Sequence, residues 1–427
     1  MNTKRNLTVL SALTLALALA TAHAAAPTKS RVTSAARTTG VTELNVRSSG
    51  GYLTITGKIR ELPFVVRYPR NWNGGAVLFA RGYVTPGTPE RFSADADPSN
   101  GLLPAAFKQG YATAYSAFGK SGYAVENGME ATMRLKRFLD MTGTTKSFIT
   151  GASMGGNIAV ALVEKYPNAF VGALPYCGVV AGWAAEVRYL TDVRVVYDFF
   201  TKKTRYALPG AGQVLTPNPA LTVEAVQAAV SGLFQAAARD SRGAEARAIG
   251  AVASVTGTSP DPVSFITALA GSAYGLQDYL TTTGGNAYDN TERTYASPLL
   301  DAATQQALNE GVERLTGKPS AALYLDRWFT PRGRFTAKVL SLHNTVDPLV
   351  PYFHQVEYRR TVEAAGNLAN LVQQTVQAKP VNMADLKSSG PAHCFFTPQQ
   401  LSFAWDQLRL WVEQDVRPQD GRDITKP

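Results

Sequence analysis

The chain has 427 residues, 45% of them hydrophobic and 17% charged, with a formal net charge of +10. That balance excludes an intrinsically disordered protein and allows either one large α/β domain with an insertion or two ordinary domains. The basic pI, about 9.5, does not signal nucleic acid, because no lysine or arginine run is interleaved with aromatics to make a groove; it signals solubility and loose attraction to anionic surfaces.

Lys4 and Arg5 precede an apolar run over residues 7–20, and Ala22-His23-Ala24 puts small residues where a signal peptidase reads. The expectation is a signal peptide over residues 1–24, cleaved after Ala24, and a secreted or periplasmic mature protein. The apolar run is short for a membrane span and no later one is long enough, so no stable span is expected in the mature form. Residues 25–43, rich in Ala, Thr, Ser and Arg without periodicity, read as a flexible leader.

Residues 53–59 and 62–68 read as two strands joined by a hairpin-like turn at Arg60-Glu61. Residues 76–80, AVLFA, form a continuous apolar run suited to a strand buried on both faces of a parallel sheet. A short helix over 103–110 and a strand over 111–118 continue the βαβ alternation. A helix over 130–141, carrying Met133, Leu135, Phe138 and Leu139, leads to a strand at 148–150. That strand runs into Gly151-Ala152-Ser153-Met154-Gly155 and then a helix over 157–166. A G-x-S-x-G between strand and helix is the context of a nucleophile elbow. The serine takes strained dihedrals there, so Gly151 and Gly155 must lack side chains, and Ser153 projects near the positive end of the following helix.

A sixth strand is expected at 171–175. From 180 to 333 the composition turns helical and aromatic, too long for a loop, and reads as a mainly helical cap inserted after that strand between two parts of an α/β core, 44–179 and 334–427. Most of its aromatics are expected in the cap's own core, with two or three reaching a substrate. Strands resume at 337–342 and 371–378, with a helix over 355–365 between them. Thr397 reads as the N-cap of a closing helix that starts at Pro398 and has Leu401, Trp405, Leu408 and Val412 on its inner face.

A nucleophilic serine needs a base to take its proton and an acid to orient that base. Beyond residue 24 there are three histidines. His354, at a helix start, reads as a surface residue; His343 reads as structural, fixing its loop; His393, in a Gly- and Pro-containing loop after the last strand, is free to reach Ser153. Asp347 follows the strand that precedes that histidine, with Asp326 as the fallback acid.

Taken in order, the strand through GASMGG into a helix, then LHNTVDPLVP, then PAHCFF resembles the α/β-hydrolase fold, a mostly parallel doubly wound sheet whose chain order is Ser, acid, His. The run ITGASMGGNIAVALVEKYPNAFVGALPYCG with HCFFTPQQLSFAWDQLRLWV is most similar to secreted bacterial esterases near feruloyl esterases, tannases and polyhydroxyalkanoate depolymerases. The resemblance implies hydrolysis of small-molecule or polymeric esters without a metal or organic cofactor. It also implies an oxyanion hole from the amides of Tyr83, in the Arg81-Gly82-Tyr83 loop, and Met154. Arginine replaces the usual histidine in that loop, and Gly82 also reads as a plain turn glycine. Relatives of this kind can carry a cysteine directly before the nucleophile; here Ala152 stands there. Cys177 and Cys394 fall on the same rim as Ser153 and leave two readings open, one disulfide or two buried thiols. Two other functions share the pattern: a prolyl-oligopeptidase-like serine peptidase, for which the cap shows no paired carboxylates to hold a peptide amine, and a non-catalytic binding protein.

Overall fold

In a computed structural model the described residues are 25–383 and 388–427; the expected signal peptide lies outside them. Nine strands make one sheet. β1 (Val41–Ser49), β2 (Tyr52–Ile59) and β3 (Leu62–Tyr68) are antiparallel. β4 (Gly75–Ala80), β5 (Ala112–Ser116), β6 (Lys146–Ala152), β7 (Gly172–Tyr176), β8 (Lys338–Asn344) and β9 (Leu371–Val376) are mutually parallel. The spatial order is β1-β2-β3-β5-β4-β6-β7-β8-β9. Arg60 and Glu61 both take positive φ, 49° and 62°, the geometry of a two-residue turn whose twist matches its strands. Every residue of β4 is buried, as a central parallel strand covered on both faces must be.

Helices cover both faces. On one side α1 (Lys29–Thr39), α3 (Val125–Thr142), α4 (Met154–Lys165) and α12 (Phe353–Ala364) contribute to a core with Phe64, Leu78 and Ile149. On the other, α2 (Leu102–Lys108) and α13 (Pro398–Gln414) pack Leu103, Leu401, Trp405 and Leu408 against Val77 and Phe148. Thr397 and Gln400 close a capping box at the start of α13. Its inner face carries Trp411, fully buried, where Val412 was expected; Val412 is only partly covered. A small hairpin, β10 (Val381–Met383) with β11 (Ser388–Gly390), follows β9.

Residues 25–43 are not a flexible leader. Thr28 caps α1, Gly40 ends it in the left-handed conformation, and Val32, Ala35 and Ala36 are buried. These three lie at i, i+3 and i+4, so they form one stripe, which packs against α3. Their small size hides the stripe in a hydropathy reading. β1 is a polar edge strand whose core-facing side is only half covered, which is why it too escapes detection.

Because β1 exists, the large insertion follows the seventh strand rather than the sixth. It contains α5 (Trp183–Thr201), α6 (Val223–Arg239), α7 (Ala244–Thr256), α8 (Pro262–Tyr274), α9 (Leu276–Thr283), α10 (Ala302–Gly311) and α11 (Pro319–Arg327). α5, α6, α7, α8 and α10 share a core of their own, built on Val193, Tyr197, Val230, Phe265 and Leu269, whereas Tyr279 of α9 and Leu325 of α11 join the core that contains Phe64 and Ile149. No helix among the described residues is long and apolar enough to cross a membrane.

Candidate active site

Ser153 sits between β6 and α4 with φ 55° and ψ −120°. A side chain at Gly151 would strike the Gly155 carbonyl, and one at Gly155 would strike the carbonyls of Ala80 and Arg81. Glycine at both places is therefore a steric requirement of the turn. Gly156 is a third such place: an added Cβ would lie 2.6 Å from Gly178 Cα, so α4 starts in contact with the loop that carries Cys177.

His393 Nε2 lies 2.9 Å from Ser153 Oγ, and its Nδ1 lies 2.8 Å from both Asp347 oxygens. Asp347 is fully enclosed. Its Oδ1 also accepts the amides of Leu349 (3.0 Å) and Val350 (2.9 Å), and its Oδ2 that of Cys394 (3.2 Å). Burial alone pushes the Asp347 carboxyl upward, but the His393 ring, with smaller contributions from His343 and the Val350 amide, outweighs it and holds the group below the ordinary carboxylate range. An ionised carboxylate only accepts, so the His393 proton rests on Nδ1 and Nε2 is free to take the serine proton. For His393 burial favours the neutral ring, yet Asp347, with a smaller contribution from Glu186, raises its pKa above the usual value.

The loop after β4 runs against the serine: a Cβ on Gly82 would be 3.4 Å from Ser153 Cβ. Arg81 holds that loop in place. Its guanidinium pairs with Glu90, donates to the carbonyls of Gly82 (2.9 Å) and Lys120 (2.6 Å), and stacks 4.4 Å above the Phe118 ring. Glu90 in turn accepts the amides of Phe118 and Gly119. Met154 is the first residue of α4, where an amide has no intrahelical acceptor. Tyr83, the next residue of the loop after β4, lines the same pocket as Ser153.

Cys177 and Cys394 form a disulfide, with Cα atoms 5.2 Å apart. Both half-cystines have positive φ, 43° and 57°. Together with His393 they are the group among the described residues whose ligand atoms lie close enough for a metal, but both sulfurs are committed to the bridge.

A cavity of about 100 Å³ opens at Ser153, walled by Tyr83, Tyr123, Trp183, Tyr274 and Tyr279. Three of these rings come from the insertion, while Tyr189, Tyr197, Tyr288 and Tyr295 are spent on its own core. Glu186, on α5, also lines the cavity and is 2% exposed. Its Oε2 is 2.9 Å from His354 Nε2, and His354 Nδ1 accepts the Ala181 amide at 3.1 Å. His354 is therefore not a surface residue: it is fully buried, because the start of α12 packs under the loop that leads into α5. Burial lowers its pKa to about 3. His343 bonds the Val350 carbonyl at 2.8 Å and the Gln355 amide at 3.2 Å, fixing the Asp347 loop. Asp326 stays on α11, exposed and paired with Arg332, and is not brought to the site.

Glu186, His354 and the Arg81–Glu90 clamp were not singled out from sequence as site residues. Arg81 carried a signal, standing where a histidine is usual; Glu186 and His354 carried none, since only tertiary packing buries them.

The sheet order, the elbow after β6 and the Ser–His–Asp arrangement over one sheet edge define the α/β-hydrolase fold. Among solved structures the chain is similar to feruloyl esterase B from Aspergillus oryzae, at 14% identity and a TM-score of 0.50, with 91% of each chain covered. It is also similar to an esterase from Aspergillus oryzae, at 15% identity and a TM-score of 0.49, with 86% of this chain and 80% of that one covered. No protein-family model matches the sequence, and no curated protein matches it.

Proposed function

We propose that the protein is an exported serine hydrolase that cleaves carboxylic esters through an acyl-enzyme. The observation that supports it most is the hydrogen-bonded chain from Ser153 through His393 to Asp347, closed at both contacts. Ser153 Oγ attacks the ester carbonyl carbon while its proton passes to His393 Nε2. Asp347 stabilises the imidazolium so formed, and the amides of Tyr83 and Met154 receive the charge on the carbonyl oxygen. His393 then protonates the departing alcohol, leaving an acyl group on Ser153. Water, deprotonated by His393, attacks that acyl carbon; the acid leaves and the serine is restored. In this reading residues 180–333 act as a cap that supplies much of the substrate wall. Export, through the segment ending at Ala24, is supported by a disulfide beside the active site.

The test is turnover of p-nitrophenyl esters by the mature protein and by Ser153→Ala, with fluorophosphonate labelling of both. Hydrolysis and labelling are expected in the first and not in the second. Activity that survives in Ser153→Ala refutes the assignment; a wild-type protein that is neither labelled nor active returns the binding-protein reading. Aminoacyl anilides cleaved in preference to esters would point to the peptidase.

A further inference from the structure

The chain carries a net charge of +10, yet no lysine or arginine among the described residues lines the cavity at Ser153, whereas two carboxyls, Glu186 and Asp278, do. The two differ in what they have left to offer. Asp278 is used up: it accepts the Tyr123 amide at 2.7 Å from the loop across from it and the Thr282 hydroxyl of its own helix at 3.4 Å, with the Lys120 ammonium 3.9 Å away. Glu186 has one bond, from His354 Nε2 to its Oε2. His354 accepts the Ala181 amide on its other nitrogen, so the tautomer is set and the ring donates to Glu186 as a neutral group. Glu186 Oε1 is left without a partner on a residue that is 2% exposed and faces the cavity. Burial drives its carboxyl well above the usual range, against a smaller opposing pull from the His393 ring.

We propose that Glu186, seated on His354 and surrounded by the rings of Tyr83, Tyr123, Trp183, Tyr274 and Tyr279, is the anchor for an organic ammonium group, and that the preferred substrates are esters carrying an amine. This rests on the serine-hydrolase reading of the same site. An ammonium supplies what the cavity lacks: a donor for Oε1, a positive charge that draws the buried carboxyl to its ionised form, and a cation for the aromatic rings. A neutral apolar group would fill the same space and leave Oε1 unsatisfied. The amine anchor that the sequence did not reveal is thus assembled in the folded cavity from α5 and α12.

The first experiment is calorimetric binding at pH 7 to Ser153→Ala, which needs no catalysis. The probes are 2-phenylethylammonium and 2-phenylethanol, nearly the same shape and differing in charge. The ammonium is expected to bind at least tenfold more tightly, and the difference to collapse in Ser153→Ala/Glu186→Gln while the alcohol's Kd stays within twofold. Equal binding, or a preference that survives Glu186→Gln, overturns the proposal; the wild-type-cavity comparison stands even if the glutamine variant fails to fold. The second experiment is kcat/KM on phenylalanine methyl ester against methyl 3-phenylpropanoate, expected to favour the amine by tenfold or more and to be overturned by a ratio near one. Ammonium binding without Ser153-dependent hydrolysis would sink the hydrolase reading and leave the anchor standing. Hydrolysis without charge preference would do the reverse.

Discussion

Replacing both half-cystines, Cys177→Ala with Cys394→Ala, removes a crosslink that spans 217 residues. In the chain-entropy model a loop of that length restricts the unfolded ensemble by about 5 kcal/mol. The native state gives part of this back. Cys177 and Cys394 hold φ of 43° and 57°, and a non-glycine residue there costs on the order of 1 kcal/mol, which the freed loops can release. The net loss expected is about 3 kcal/mol. Unfolding entropy of roughly 2.1 cal/mol/K per residue over about 400 residues turns that into a Tm drop of about 4 °C. Catalysis should suffer through position. Cys394 follows His393 directly, so a histidine loop no longer tied to the rim should lower kcat by about tenfold, with KM changing less. Differential scanning calorimetry and ester kinetics on the double variant, beside unreduced wild type, measure both effects. An unchanged Tm together with kcat within twofold would refute the reasoning, as would two alkylatable thiols in the denatured, unreduced wild type.

Asp347→Asn should cut kcat by on the order of 10³ to 10⁴ with little change in KM, because the amide cannot stabilise the imidazolium or fix its tautomer. The acid limb of the wild-type kcat/KM profile should have its midpoint above 6.5, since Asp347 and Glu186 outweigh burial and raise His393, and residual activity in the asparagine variant should titrate lower. Gly155→Ala drives a methyl group into the Ala80 carbonyl and is expected to give insoluble or inactive protein, judged by soluble yield and probe labelling. Gly82→Ala meets Ser153 Cβ at 3.4 Å; the fold should persist, by circular dichroism, while kcat falls about tenfold if the proposed oxyanion site lies there. Glu164 is raised to about 7, chiefly by burial, against the amide bonds it accepts from Arg332 and Gly333. An acid raised on folding contributes stability that is complete below about 4.5 and lost as pH rises through about 7. Denaturation midpoints should therefore fall across that window, and the slope should flatten in Glu164→Gln.

The stretches that could be read from sequence were those whose chemistry is local. Gly151, Ser153 and Gly155 declare themselves because a strained turn admits few residue types, and Asp347 and His393 follow because chain order is fixed once the elbow is known. Apolar strands such as 76–80 were visible for the same reason: burial on both faces leaves one composition. The failures share a different cause. Val32, Ala35 and Ala36 look unremarkable until α3 lies against them, and β1 reads as polar because an edge strand needs one covered side at most. Glu186 sits in AAEVRY, which reads as an ordinary helical surface; its burial is made by α12, some 170 residues later in the chain. A side chain bonded to a partner so remote leaves no trace in a local window.

The walls of the cavity come from two sources, and they divide by role. Ser153, Tyr83, Val179, Leu349 and Val350 come from the loops of the sheet, whereas Trp183, Glu186, Tyr274 and Tyr279 come from the insertion between β7 and β8. In the proposed reading, the reacting residues and much of the wall that would face a substrate therefore occupy separate stretches of the chain. Contacts cross that divide: Asp278 of the insertion accepts the Tyr123 amide, and Asn157 of α4 donates to the Phe329 carbonyl. His354 belongs to the core yet steadies a carboxyl of the insertion, so transplanting residues 180–333 into another scaffold of this architecture would carry the aromatic walls across and leave the support of Glu186 behind.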